Sequence, residues 1–271
     1  MTDEARIETH PFVLRLKKFS PNINLATVST LFDAVGDDLH VRPRRNIFVQ
    51  GYEAHDFYLV ERGFAIAYQL LHDGRRQIFA IVVPGDIIGP SAAGLQVARS
   101  SVSSLSEMRV QRLRIDVFLE IASRSPPLSF AMMCYLAQLV GLFFDRLMEV
   151  GRLSPLERLA HFLLRFHARL QAAGCAGDTS FDLPVSQEVI GDLLSLSAPH
   201  VNRMLRRLRS DRLISMQRRR IDLLDIEGLR RLSEFAPPPL VPIPNDERPD
   251  SNPRITGLRQ ANTNLLTTSL I

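Results

Sequence analysis

"SAPHVNRMLRRLR", Ser197 to Arg209, carries four arginines, an asparagine and a histidine, while Val201, Met204, Leu205 and Leu208 recur at helical spacing. The pattern is a helix with one apolar side and one side of cations and amides. A solvated amphipathic helix has this pattern, and so has a helix that reads nucleic acid. The neighbouring segments discriminate between the two.

Upstream, Ser186 is placed to cap a first helix through Val189, Ile190, Leu193 and Leu194. Gly191 in its middle costs about 1 kcal/mol against alanine, which is expected where a second helix crosses closely. Ser195 and Leu196 make a short turn. Ser197 is then expected to cap the second helix, with Pro199 tolerated in the first turn, where no intrahelical donor is lost.

In that second helix Val201, Leu205 and Leu208 face inward, and Pro199, Asn202, Arg203 and Arg206 face outward. Arginine matches the acceptor edge of guanine, and asparagine the edge of adenine, in a groove wide enough for a helix. A helix-turn-helix puts the N-terminal part of its second helix there. Downstream, Arg218, Arg219 and Arg220 lie between two short apolar runs, like a basic wing set against phosphates. A capped helix, small residue, short turn, basic helix and basic hairpin in this order point to double-stranded DNA. The candidate contacts are Ser186, Gln187, Ser197, Ala198, Pro199, His200, Asn202, Arg203, Arg206, Arg207, Arg218 and Arg219.

Bulk composition neither demands nor opposes this reading. The chain has 271 residues, 45% hydrophobic and 23% charged, with a net charge of only +4. The charge is concentrated, however: Leu196 to Ile221 holds eight arginines against one acid, Asp211. The two cysteines, Cys134 and Cys175, lack metal-ligand spacing, and neither a zinc site nor a disulfide framework is expected. No Gly-rich phosphate loop, metal-spaced cluster or nucleophile elbow suggests an enzyme. His55, His72, His161 and His167 are expected as surface or core residues rather than metal or haem ligands. The N-terminus has no apolar secretory core, and a cytoplasmic location with no membrane association is expected.

Ahead of the basic segment lie two further textures. From about Ile47 to Ile115, short β-rich runs are split by Arg62-Gly63, Asp73-Gly74 and Pro84-Gly85-Asp86, which suggests a barrel or sandwich. Then Met133, Leu136, Val140, Phe143, Leu147 and Val150 follow a 3-4-3-4-3 spacing, the seam of a helix from about Leu128 to Gly151. Such a helix packs in its own core or pairs with a second copy; Leu139, Leu142 and Phe144 give it a second apolar face and favour pairing. The run "AMMCYLAQLVGLFF", Ala131 to Phe144, has 14 residues, too short for a bilayer, and reads as a buried helix. The first forty residues are mixed and partly helical, without evident chemistry. The proline-rich tail from Ala236 is expected to be disordered.

The stretches "DFYLVERG", "DGRRQI" and "PGDIIG", followed by "VSQEVIGDLLSLSAPHVNRMLRRLRSDRLI", resemble the Crp/Fnr family of bacterial transcription regulators over about Gly51 to Phe235. The resemblance implies an α+β fold: an N-terminal double-stranded β-roll, a long dimerisation helix and a C-terminal winged helix-turn-helix. The corresponding regions are 1–127 with its helical N-terminal segment, 128–151, 152–235 and the tail 236–271. It implies a sequence-specific DNA-binding homodimer that reads an inverted repeat, with RNA polymerase a further partner. Arg203 matches the family's main base-reading arginine, and Ala198, Pro199 and Asn202 its other recognition positions. Cyclic AMP receptor proteins carry Arg and Glu where this chain has Ala198 and Pro199, so a different half-site is expected.

Effector chemistry departs further. Cyclic-AMP-binding members follow the glycine of this turn with a ribose-binding Glu; here Gly89 is followed by Pro90. Arg99-Ser100 matches the pair that holds the cyclic phosphate. The candidate effector residues are Gly89, Ser91, Arg99 and Ser100, with a cyclic nucleotide disfavoured and no cofactor identified. The iron–sulfur mechanism of oxygen-sensing members, which uses N-terminal cysteines, is not expected. The alternative is a ligand-binding β-roll signalling module whose basic C-terminal part only keeps it soluble.

Overall fold

The computed structural model describes residues 7–36, 38–89 and 97–235; the tail expected from Ala236 lies outside them. Ahead of the strands lie two short helices, α1 (Pro11–Phe19) and α2 (Leu25–Asp33), capped by His10 Nδ1 and Asn24 Oδ1. Eight strands follow: β1 (Asp38–Val41), β2 (Asn46–Phe48), β3 (Asp56–Arg62), β4 (Ala65–Leu70), β5 (Arg76–Val82), β6 (Ile87–Ile88), β7 (Ser101–Ser104) and β8 (Met108–Arg114). They form two four-stranded antiparallel sheets, ordered β1-β8-β3-β6 and β2-β7-β4-β5. Side chains from both sheets meet between them, including Phe48, Val60, Val82, Val102, Met108 and Val110. This is the expected β-roll.

Its turns fall where the glycines suggest. Gly63 sits at φ +90°, and a Cβ there would lie 2.3 Å from the Glu107 carbonyl oxygen, so only glycine allows β3 to pass into β4. Asp73-Gly74 lies in the loop that joins β4 to β5, closed by the Leu71 N–H donating to Arg75 O at 2.8 Å.

A helix α3 (Ile115–Ser123) leads to the long helix α4 (Pro126–Arg152), capped by Ser125 Oγ and with proline in its first turn. Gly151, expected at the stop, is the last residue but one of the helix, which ends at Arg152 with Leu153 as its C-cap before Ser154 opens a capping box with Glu157. The apolar run Ala131–Phe144 suggests a buried helix, but only one side of α4 is buried. It has 27 residues and by length and composition alone could cross a membrane. Leu128, Ala131 and Tyr135 pack with Phe12, Leu16, Phe57 and Leu113 of α1 and the roll. The opposite strip stays open: Met133, Leu136, Val140, Phe143, Leu147 and Val150 are all exposed, Leu147 by 72%.

After it come α5 (Pro155–Ala172), β9 (Ser180–Asp182), α6 (Gln187–Leu194), α7 (Ala198–Ser210), β10 (Ile214–Gln217), β11 (Arg220–Leu223) and α8 (Ile226–Ser233). The strands form a three-stranded antiparallel sheet, β10-β11-β9. This second half is not hung on a free linker. Ile66, Ile78, Ile81 and Val83 of the roll share one core with Leu159, Phe162, Phe166, Leu193 and Leu205.

Asp86 pins the junction. In the turn before β6 it is 5% exposed and pairs with both Arg15 of α1 and Arg169 of α5, the latter at 2.6 Å. Its Oδ2 also accepts the Val83 N–H at 2.8 Å. Beside it the Ile87 N–H donates to the Tyr135 hydroxyl of α4 at 2.9 Å. Burial, reinforced by the Asp86 charge, pushes that hydroxyl up to about 12. One carboxylate therefore joins the N-terminal helix, the roll and α5. Asp86→Ala would strand two buried guanidinium groups, and breaking a buried pair costs about 3–5 kcal/mol. We expect urea unfolding to show a loss of that size; a change below about 1 kcal/mol would contradict this role.

Candidate nucleic-acid interface

The helix pair forms as its caps and apolar spacing require. Ser186 Oγ accepts the Val189 N–H at 3.3 Å at the start of α6. Ser195 ends the helix in the left-handed region, φ 56°. Gly191 is constrained from a direction the sequence did not suggest. A Cβ there would lie 2.4 Å from the carbonyl oxygen of Leu196, in the turn, rather than against the body of the next helix. Ser197 precedes α7 but its side chain makes no capping bond; its carbonyl accepts the Val201 N–H at 3.0 Å.

The faces of α7 separate as expected. Val201, Leu205 and Leu208 are buried, Met204 is half-buried, and Pro199, Arg203, Arg206, Arg207 and Arg209 are exposed. The cations are not equivalent. Arg207 donates to Asp211 at 2.7 Å, and Arg220, inside β11, pairs with Asp222 at 3.2 Å and reaches Ser180 Oγ at 2.8 Å. Arg203, Arg218 and Arg219 are exposed and make no ion pair among the described residues. Arg218 and Arg219 form the turn between β10 and β11, with Arg218 at φ 54°.

Asn202 differs from the free adenine reader that its outward position suggests. It is half-buried, its Nδ2 donates to Gln187 Oε1 at 3.0 Å, and its Oδ1 accepts from Arg206 Nε at 2.7 Å. Both ends of the amide are engaged, so Asn202 holds Gln187 of α6 and Arg206 of α7 in one row. An open groove continues this surface, lined by Arg206, Arg209, Ser215 and Gln217. Ala198 and His200 are half-buried on the first turn of α7.

The helix pair is docked on the roll. Arg76 of β5 donates to Asp192 of α6 through Nε at 3.0 Å and Nη2 at 2.5 Å, and Gln77 Nε2 donates to the Asp192 carbonyl at 3.1 Å. The sequence hid this link because the partners lie 116 residues apart and nothing local pairs them.

The effector candidates are less well assembled. Gly89 is half-buried at φ 110°, with Asp56 O and the Phe48 ring where a side chain would be. Arg99 is exposed, and its carbonyl accepts from Gln69 Nε2 at 2.6 Å. Ser100 is half-buried; Pro90 and Ser91 lie outside the described residues. Phe48, Val60, Met108 and Val110 occupy the space between the sheets. The histidines of α5 are structural: His161 Nδ1 stands 2.9 Å from Glu149, and His167 Nε2 2.9 Å from Gly177 O. Among the described residues no three His, Cys, Asp or Glu side chains are grouped to hold a metal.

A β-roll, a long helix and a winged helix-turn-helix that exposes Arg203, Arg218 and Arg219 without ion pairs among the described residues define a DNA-binding regulator, and known proteins agree. Residues 157–232 match the Crp-like helix-turn-helix domain, and residues 38–125 match the cyclic nucleotide-binding domain. The nitrogen fixation regulation protein FixK of Azorhizobium caulinodans is 32% identical over 187 residues, which cover 69% of this chain and 75% of that protein. The transcriptional activatory protein AadR of Rhodopseudomonas palustris is 29% identical over 184 residues, 68% of this chain and 75% of AadR. The structure of FixK2 from Bradyrhizobium japonicum superposes with a TM-score of 0.67 at 26% identity, covering 74% of this chain and 98% of that one. The chain belongs to the Crp/Fnr family and is a DNA-binding transcriptional regulator. Membership sets aside the alternative of a signalling roll with a merely solubilising basic end.

Gly191 offers a test in which two effects oppose. Alanine gains about 1 kcal/mol in helix propensity. A Cβ placed 2.4 Å from a carbonyl oxygen forces the turn apart, and overpacking costs about 1–3 kcal/mol. We expect Gly191→Ala to lower the thermal midpoint and weaken DNA binding; a raised midpoint would show that the turn yields freely.

Proposed function

We propose that two copies of the chain pair through the open strip of α4 and lay their α7 helices in successive major grooves of an inverted repeat. The observation that carries this reading is Arg203: it is exposed and unpaired on a helix whose other face is locked into the core. A guanidinium so held meets guanine's acceptor edge without first breaking an ion pair. Gln187, Asn202 and Arg206 form a connected polar row beside it. Ser186, Ser197, Ala198, Pro199 and His200 border that row, and Arg207 meets the phosphates at its far end. Arg218 and Arg219 contact phosphate across the minor groove. Keeping a long cation at φ 54°, where glycine or asparagine is usual, costs about 1 kcal/mol and supports a role for that charge.

Pairing follows from the strip itself. Met133, Leu136, Val140, Phe143, Leu147 and Val150 are exposed at coiled-coil spacing, and Phe144 beside them is 66% exposed. A contiguous apolar face of this kind marks an interaction surface. A two-fold dimer then matches half-sites about one helical turn apart. Such a regulator works beside the chromosome, in the cytoplasm. The residues matching the family's cyclic-nucleotide site support a signal other than cyclic AMP.

We expect Arg203→Ala to cost about 1–3 kcal/mol of binding and to relax preference at one base pair. Arg219→Ala should weaken binding to all sequences alike and reduce the salt slope by about 1. Fluorescence anisotropy against a panel of single-base variants, at several salt concentrations, separates the two; equal loss of specificity from both changes would contradict the assignment. Leu147→Asp, at an exposed position, should convert a dimer to a folded monomer in sedimentation velocity. A wild-type chain that is monomeric at micromolar concentration would contradict the pairing.

A further inference from the structure

Where the roll, the long helix and the DNA-binding half meet, charges do not balance. Phe79 and Ile81 of β5, Leu142 and Arg146 of α4, and Arg165 and Arg169 of α5 surround a cavity of about 30 Å3. That is room for two or three waters, which an entering anion would displace. The guanidinium side chains on its wall are nearly buried: Arg146 is 16% exposed, Arg165 10% and Arg169 14%.

The acids near this wall are few and already shared. Glu149, fully buried, pairs with Arg146, lies 2.8 Å from Arg165 Nη1 and 2.9 Å from His161 Nδ1. Asp86 serves both Arg15 and Arg169. Asp145 stands at the rim, 3.9 Å from Arg165 and 43% exposed. Two buried carboxylates thus face four buried guanidinium groups. The Nε atoms of Arg146 and Arg169 are fully buried and have no acceptor among the described residues. Burying a donor without a partner costs about 1–3 kcal/mol, and more for a charged group. Burial, followed by repulsion from Arg165, pulls the Arg146 guanidinium down to about 10.

We propose that this cavity binds a small oxyanion, a carboxylate or a phosphate, that accepts from Arg146 and Arg169 together. Guanidinium groups match such oxygens with planar, charge-assisted hydrogen bonds. The apolar side chains of Phe79, Leu142, Phe162 and Phe166 around it lower the local dielectric, which strengthens such a pair. An anion there ties the long helix to α5, the first helix of the DNA-binding half. The site is independent of the effector candidates in the roll, and its binding test is run without DNA, so its outcome does not depend on the proposed dimer or operator.

The chain contains no tryptophan, so Phe79→Trp places a single fluorophore on the cavity wall. Inorganic phosphate and acetate are titrated in separate arms at constant ionic strength, with chloride as the balancing ion. In parallel, thermal unfolding of the unmodified chain is followed. A saturable emission change with a rise in midpoint is expected; saturation by phosphate identifies a phosphate-type ligand, and by acetate a carboxylate. Arg146→Gln in the same background should weaken the response at least about tenfold, because Glu149 keeps Arg165 and the fold survives, as circular dichroism would verify. The proposal is overturned if neither anion gives a saturable response by either readout, or if folded Arg146→Gln responds like its parent.

Discussion

Helix α4 has two apolar sides and its own chain covers only one. Leu128, Ala131 and Tyr135 are held by α1 and the roll, while Phe143 and Leu147 on the other side remain open. Full burial of such a side chain is worth about 1.5–3 kcal/mol, so a strip of six is a strong drive to association. The same helix ends at Arg152, and two residues later the capping box at Ser154 starts α5. The direction of α4 therefore sets the direction of α5, and α5 carries the core on which the recognition helix rests. In the proposed dimer, the spacing of two α7 helices is a consequence of how two copies of α4 meet.

The second constraint is the shared core. Isoleucines 66, 78 and 81 of the roll pack with α5 and α6, and the polar links Arg76–Asp192 and Arg169–Asp86 lie at its edges. A signal that shifts β5 or the Asp86 turn must move the DNA-binding half with it, because no slack linker intervenes. Packed interfaces of this kind switch between discrete arrangements rather than deform continuously. The cavity lined by Arg146 and Arg169 lies against this same interface, on the α4 side.

Local signals were legible in the chain and long-range ones were not. The roll could be read from glycine turns between short strands, and Gly63 and Gly74 occupy the left-handed backbone that those turns need. The helix pair could be read from Ser186 and the spacing of Val201, Leu205 and Leu208, because capping and amphipathicity act within a few residues. Asp86 looked only like part of a turn; its partners Arg15 and Arg169 are far away in sequence, and nothing local marks them. For the same reason the first forty residues seemed without chemistry, although Arg15 supplies half of that pairing. A glycine at 191 marks a close approach, but the neighbour is the Leu196 carbonyl rather than a crossing helix, a backbone atom that no side-chain pattern reports. Helical spacing places Asn202 on the outward face and no more; its bond to Gln187 depends on how two helices cross.

The central claim is that paired chains present Arg203 and its polar row to base edges from a rigid support. Selection of bound fragments from a random duplex pool, followed by sequencing, tests it most directly. The account predicts enrichment of an inverted repeat whose half-sites lie about one helical turn apart, with the enrichment lost for Leu147→Asp. A single unrepeated half-site, or binding that never discriminates among sequences as salt is raised, would contradict it.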